Sequence, residues 1–230
     1  MSAAEWQAIQ LTLLVALTAV AMSLPLAIAV AWCLAQGKFP GKFLLETVVN
    51  LPLVIPPVVT GYLLLVLFGR RGMIGGLLEH WLGMRLVFDW KGAALASAVV
   101  AFPLLVRPIR QAFEAIDSRL LLAARSLGAK RWDAFASIAL PLAMPGILSG
   151  CVLAFARSMG EFGATIMIAG NIPGETRTIP LFVYTQLDAP GGFDGAVRIV
   201  VFSIVISAVS LLMGEWLERA GRRRVQGAGV

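Results

Sequence analysis

Histidine occurs once in the 230 residues, at His80, and the two cysteines, Cys33 and Cys151, lie apart inside apolar stretches. A His-based metal cluster is thereby excluded and a His-dependent triad has almost nothing to draw on. With no C-x-x-C pair, the thiols read as small core residues rather than a redox or zinc site. Clustered carboxylates and a nucleophile beside a base are also missing. So is a G-x-x-x-x-G-K-[ST] phosphate loop: Gly37 and Gly41 precede lysines but lack the upstream glycine and the following hydroxyl. Any ATP hydrolysis linked to this chain must come from another polypeptide.

Charge is scarce as well. Only 14% of residues are Asp, Glu, Lys or Arg, where soluble domains have about a quarter. Hydrophobic residues make up 59% and the mean hydropathy is +0.85. The apolar residues come in long charge-free runs rather than in stripes with a polar opposite face, the pattern of a membrane domain. A net charge of +6 and a pI near 10.0 would raise the question of nucleic acid in a soluble protein. No basic run is interleaved with aromatics as a base-stacking surface requires, so no nucleic-acid partner is expected. Cytoplasmic loops of inner-membrane proteins collect such an excess of Lys and Arg.

A bilayer core of about 30 Å takes about 20 helical residues. Residues 6–37 are uncharged for 32 positions, and 47–69 and 134–156 for 23 each, so each holds a span. The stretch 92–106 has 15 residues and lengthens to Arg110 if Arg107 and Arg110 snorkel to the headgroups. The stretch 199–214 has 16, with Trp216 as an interfacial anchor. An all-α integral membrane protein with five transmembrane helices follows. A sixth has only 73–87 or 162–174 to draw on, each too short to cross alone and read as interfacial or re-entrant.

An odd number of spans separates the termini. With the N-terminus outside, the inner segments 35–46, 107–133 and 215–230 hold twelve of the nineteen basic residues, which favours N-out and C-in. The first apolar run is too long for a signal-peptide core and no Lys or Arg precedes it, so it is expected to stay as an anchor.

Proline is dense within these spans: Pro25, then Pro52, Pro56 and Pro57, then Pro103 and Pro108, then Pro141 and Pro145. Each removes a helix hydrogen bond and kinks its segment. The run around Pro56 and Pro57 is the strongest candidate for a bend beside a pathway, because freed carbonyls at membrane depth need protein or water next to them.

The segment 117–141 reads as helix, turn, helix. Asp117 or Ser118 can cap the first helix, and Leu120, Ala124 and Leu127 fall on one stripe. Gly128 suits the left-handed residue that ends it, and a second helix follows to Ser137. Ala123 and Ala124 leave room for another chain to approach closely, while the basic residues hold the loop at the cytoplasmic surface.

This segment resembles the cytoplasmic signature of permease subunits of binding-protein-dependent ABC importers: E-A-A, three residues, G, nine residues, I-x-L-P. Ala123, Ala124, Gly128, Ile138, Leu140 and Pro141 keep every spacing, and Leu122 replaces the usual Glu. Further stretches are similar to the molybdate/sulfate permease family: Phe39-Pro-Gly-Lys, the run from Leu51 to Val59, Phe68-Gly-Arg-Arg-Gly, Ala154 to Thr165 and Asn171 to Pro180.

The resemblance implies a type I importer permease fold over 1–230, with its core at about 8–217, a coupling loop at 117–137 and a basic cytoplasmic tail at 218–230. It implies a bacterial inner-membrane location and alternating access. The implied partners are two ATPase subunits carrying ATP and Mg, a second permease copy in a homodimer, a periplasmic molybdate-binding protein and membrane lipids. The chain itself would bind no cofactor. The implied substrate is molybdate, with tungstate or sulfate and thiosulfate as alternatives. A secondary transporter or channel would instead show paired repeats with matching broken helices, and none is apparent.

A dianion crossing hydrocarbon needs compensating charge, which makes intramembrane ionisable residues the place to look. Arg157 and Glu161 stand four apart near the outer end of the fourth span, either as an interfacial ion pair or as the border of the pathway or outer gate, together with Pro56 and Pro57. Arg177, in an outer loop, is a candidate contact for the binding protein or else a solvated charge.

Overall fold

The computed structural model describes residues 2–37, 39–189 and 193–227, and among these every regular element is a helix. Lys38, counted above as an inner basic residue, and residues 228–230 of the basic tail lie outside them. The first helix, α1 (Ala3–Gln36), starts with a capping box in which the Ser2 hydroxyl accepts from the Glu5 amide and the Glu5 carboxylate accepts from that of Ser2. At 34 residues it is about 50 Å long, more than the hydrocarbon requires.

Its buried face is mostly small: Ala8, Ala16, Ala19, Ala27 and Ala31 are covered. Against that face lies α5 (Trp90–Glu114), capped by the Asp89 carboxylate, which accepts from the Lys91 amide at 2.9 Å. The third member of the core is α8 (Met144–Met159). A methyl group added at Gly150 would stand 2.7 Å from the Leu105 carbonyl oxygen, and one at Gly146 would stand 2.6 Å from that of Pro108. Here the backbones touch. Ala27, Ala31, Leu34, Leu105, Ile109 and Phe113 fill the space between the three helices.

The run 47–69 is not one straight span. It forms α2 (Lys42–Val54) and α3 (Pro57–Phe68), which meet at 113°. Ile55 still donates to the Leu51 carbonyl at 3.1 Å, but Pro56 and Pro57 have no N–H to continue the ladder. The helix restarts from the Pro56 carbonyl, which accepts from Val59 and Thr60 at 2.9 and 3.1 Å. The run 134–156 is likewise broken: α7 (Arg131–Leu142) and α8 meet at 64°. Three helices are long and apolar enough to cross alone, Ala3–Gln36, Trp90–Glu114 and the Gly195–Trp216 portion of α11 (Phe193–Gly227), and the expected five are reached if each bent pair makes one crossing.

Of the two stretches that might have held a sixth span, 73–87 contains only α4 (Met73–Leu82), with 10 residues. The other, 162–174, contains α9 (Gly163–Ala169), with 7 residues. That helix is not interfacial, since Ala164, Thr165, Ile168 and Ala169 are buried and it packs between α3 and α5. The remaining short helix is α10 (Ile179–Leu187), joined to α1 where the Ile179 amide donates to the Thr12 hydroxyl at 2.8 Å.

Arg107 and Arg110, expected to snorkel to headgroups, find protein partners as well. Arg107 Nε donates to Asn50 Oδ1 at 2.8 Å, and Arg110 pairs with Glu46 at 2.6 Å and Glu114 at 2.7 Å. These contacts fasten α2 to the end of α5. The rest of the outer surface is greasy, with Val58, Tyr62, Leu63 and Val66 of α3 and Val201, Ile204, Val205 and Leu212 of α11 exposed, as a hydrocarbon solvent permits.

Gly150→Leu should force α5 and α8 apart, an overpacking cost of about 1–3 kcal/mol, and lower the melting temperature of the detergent-solubilised protein. Gly76→Ala, which has no neighbour nearer than 3.7 Å, should leave it unchanged. Equal melting curves for the two would refute the close-packing account.

Candidate functional site: the coupling loop and an intramembrane ion pair

The loop after α5 turns sharply at Asp117, whose carboxylate accepts from the Arg119 amide at 2.9 Å and caps α6 (Ser118–Ser126). Leu127 donates to the Ala123 carbonyl and Ala129 to that of Ala124, and Gly128 takes φ +95°, the left-handed conformation its position demands. The second helix, α7, is capped from within, because the Asp133 carboxylate accepts from the Lys130 amide at 3.1 Å. It runs beyond Ser137, to Leu142, and widens into a π turn at Phe135–Ala139. Pro141, just past Leu140, has no amide to give, so the ladder is relaxed where α7 approaches α8.

The six signature positions differ in exposure. Ala123, Gly128 and Pro141 are exposed, while Ala124, Ile138 and Leu140 are half-buried. The stripe expected to pack, Leu120, Ala124 and Leu127, mostly faces outward: Leu120 is 49% and Leu127 90% exposed. Leu121 is the residue that reaches the body. Leu122, standing where the signature has Glu, is also exposed, as is Trp132. No residue of α6 is buried, so this apolar helix hangs from the bundle with its outer face uncovered.

What holds the loop to the bundle is an aromatic cluster that sequence reasoning missed. The Trp32 ring meets Phe113 at 5.1 Å and Phe135 at 5.0 Å, both edge-on, and Trp132 meets Phe135 at 6.1 Å. The ends of α1, α5 and α7 are thereby tied together. Beside the cluster, α6, α7 and the end of α1 enclose a groove of about 600 Å³ lined by Trp32, Gln36, Leu121, Arg125, Arg131 and Trp132. Apart from Trp132 and Phe135, which are near neighbours on α7, these rings are far apart in sequence, and spacing carries no signal for them.

At the other end of α8, Arg157 Nη1 lies 2.8 Å from Glu161 Oε2. The i, i+4 pairing is present, yet not as an interfacial pair on one helix face. The helix ends at Met159, and Glu161 sits beyond it, almost fully buried, with Oε1 accepting from the Ala164 amide at 2.9 Å. Arg157 keeps about a third of its side chain exposed. Pro57 is brought to the same place. A methyl group on Gly163 would lie 3.1 Å from Pro57 Cβ, and one on Gly61 would lie 2.6 Å from the Ala164 carbonyl oxygen. The α2–α3 break and the Glu161 turn therefore form one unit.

Arg177 belongs to neither group. It is half-buried rather than a solvated loop charge: its Nε donates to Asn171 Oδ1 at 2.8 Å, and Asn171 Nδ2 donates to the Thr185 hydroxyl at 2.8 Å. Its part is to close the turn before α10.

Broken apolar helices, a hanging cytoplasmic-type helical hairpin and a lipid-compatible exterior define the membrane component of a transport system. The chain belongs to the family of binding-protein-dependent transport system inner membrane components, whose model matches residues 23–223. It is 57% identical to the molybdenum transport system permease protein ModB of Escherichia coli K12 over 96% of both chains, and 53% identical to that of Haemophilus influenzae over the same shares. The sulfate transport system permease protein CysW of Synechocystis is 36% identical over 92% of this chain and 76% of its own length. Among solved structures, a bacterial alginate ABC transporter in complex with its alginate pentasaccharide-bound periplasmic protein superposes with a TM-score of 0.75. It covers 96% of this chain and 80% of its own at 21% identity. An amino acid ABC transporter superposes at 0.63 over 94% of both chains at 19% identity. The fold is that of ABC importer permeases.

Gly128→Val would force a β-branched residue into the left-handed region, a cost of about 1–3 kcal/mol. Amide hydrogen exchange across α6 should quicken several-fold while α5 is unaffected, and Gly128→Asn, which tolerates that region, should leave both as they are. Unchanged exchange in the valine variant would mean that the turn is fixed by something else.

Proposed function

We propose that this chain is the membrane-spanning subunit of an importer that carries molybdate from periplasm to cytoplasm by alternating access. In this reading, 1–230 is one transmembrane domain with its core at about 8–217, its N-terminus in the periplasm and its C-terminus in the cytoplasm. Two copies pair as a homodimer, two ATPase subunits carrying ATP and Mg sit below, and a periplasmic binding protein delivers the oxyanion above.

The observation that carries the reading is the hanging α6–α7 hairpin. Its uncovered apolar face, with Leu120, Leu122 and Leu127 outward, fits the groove of a partner protein, while Phe135 ties it through Trp32 and Phe113 to α1 and α5. Force applied at the loop by the ATPase would pass into α1, α5 and α8 and turn them between inward-open and outward-open arrangements. Leu122 gives this contact an apolar character where a glutamate would allow a charge pair, so docking rests on shape. Ala123, Ala124, Gly128, Ile138, Leu140 and Pro141 are its coupling residues, with 117–137 as the loop and 218–230 as the basic cytoplasmic tail.

Molybdate is supported by the extent of likeness to the molybdenum permeases, against the lower identity to a sulfate permease. Sulfate remains the second reading because both are tetrahedral dianions and the family includes permeases for each. We further propose Arg157, Glu161, Pro56 and Pro57 as pathway and gate residues. Arg177 is proposed as a contact for the binding protein through the turn it closes.

In liposomes holding the permease, its ATPase and its binding protein, micromolar molybdate should stimulate ATP hydrolysis several-fold and sulfate should not. Stimulation by sulfate alone would overturn the substrate assignment. Reporter fusions should place the N-terminus outside and the C-terminus inside, and finding both termini on one face would overturn the five-span arrangement.

A further inference from the structure

Two carboxylates are buried among the described residues, Glu5 and Glu161, and each is held by an arginine. Their settings differ. Glu5 belongs to the capping box that opens α1, and its partner Arg198, at 3.0 Å, is largely exposed. That pair ties the end of α1 to α11. Glu161 lies past the end of a helix, in a turn wedged against the proline break.

Four buried hydroxyls without partners lie on the helices that pack around this turn, α3, α5, α8 and α9. Ser158 follows Arg157 directly, and Thr165 follows Ala164, whose amide the Glu161 carboxylate accepts. Thr60 adjoins Gly61, whose backbone presses on Ala164, and Ser97 sits in the part of α5 that packs on Ala164 and Ile168. All four oxygens are buried, and none makes a hydrogen bond among the described residues. A buried polar group left so is costly, roughly 1–3 kcal/mol, which makes these hydroxyls donors in search of an acceptor. A tetrahedral oxyanion is an acceptor on every side. The cation beside them, however, is already neutralised: while Glu161 holds Arg157, an arriving dianion meets a neutral pair and is repelled by the carboxylate at close range.

We propose that Glu161 is an exchangeable internal counter-ion that occupies, on Arg157, the place a tetrahedral dianion takes during passage. The exchange is tied to the gate because the same carboxylate accepts from Ala164 at the start of α9, and α9 is wedged through Gly163 on Pro57 and Val58. Movement at the α2–α3 break shifts α9, draws Glu161 off Arg157 and presents the guanidinium, with the hydroxyls of the surrounding helices as further donors. When the dianion leaves, Glu161 returns and closes the site. This inference rests on the reading of Arg157 as a pathway residue.

Glu161→Gln keeps an acceptor for the Ala164 amide but removes the competing charge. In the reconstituted complex with labelled molybdate, its apparent KM should fall about tenfold and its maximal rate should fall with it, since release now leaves a bare cation behind. Glu161→Asp, too short to hold Arg157 fully, should move both parameters in the same direction by less, and serves if the glutamine variant does not assemble with the ATPase. The charge exchange Arg157→Glu with Glu161→Arg should assemble but not transport. Transport at the normal rate by this double variant would show a merely structural pair and overturn the proposal. Arg157→Ala separates the two levels. If it transports normally, Arg157 is off the pathway and both readings fall. If it fails to transport while the Glu161 variants keep the normal KM and rate, Arg157 stays on the pathway and only the counter-ion role is overturned.

Discussion

Close backbone contact between α5 and α8, at Gly146 and Gly150, is the constraint on which the other features depend. Lipid supplies no hydrophobic pressure to push helices together, so association comes from van der Waals contact, and small residues are what permit it. Alanine along α1 and glycine along α8 give that contact over several turns. A rigid three-helix core follows, and the weaker elements can be broken because the core is not. The bent pair α2–α3 leans on α5 through Glu46 and Asn50, and α9 reaches α3 through Gly61. Each break is therefore backed by protein, the condition for irregular backbone at membrane depth.

Charge follows the same economy. Arg110 meets two carboxylates, Arg157 meets Glu161 and Arg198 meets Glu5, so these arginines stay compensated near or within the apolar belt. Replacing one partner alone would strand the other, which is costlier than never having had the pair. Arg157 is the pair member whose partner is buried in a turn, and a turn can move without breaking a helix. That mechanical fact distinguishes it from Arg198, whose partner Glu5 is built into a capping box.

The long helices α1, α5 and α11 were legible because hydropathy reports solvent, and a charge-free run must lie in lipid or in the core. The loop from Asp117 to Pro141 was legible because caps, a glycine with positive φ and a fixed spacing are local features. The 113° turn at Pro56 and Pro57 was legible only as a kink. Composition tells that a hydrogen bond is lost, whereas the direction the chain then takes depends on Gly61 meeting Ala164 and Gly163 meeting Pro57, far apart in sequence. The partners of Arg107 and Arg110 were hidden for the same reason: an arginine considered with its own helix alone gives no sign of Glu46 and Asn50 on α2. Arg177 looked solvated because nothing near it in sequence announces that Asn171 is itself held by Thr185.

The two sites lie at opposite ends of α8, and this arrangement bears on how they communicate. At one end the helix begins after the π turn and Pro141, where the aromatic cluster holds the hairpin; at the other it ends at Met159, before the Glu161 turn. A helix of 16 residues is stiff over its length of about 24 Å, so a tilt imposed at its first turn arrives at its last. Its close backbone approach to Leu105 and Pro108, in its first half, would serve as the fulcrum. A pull on the hairpin would then displace the Glu161 turn against the Pro57 break, with no relay of side chains needed between them.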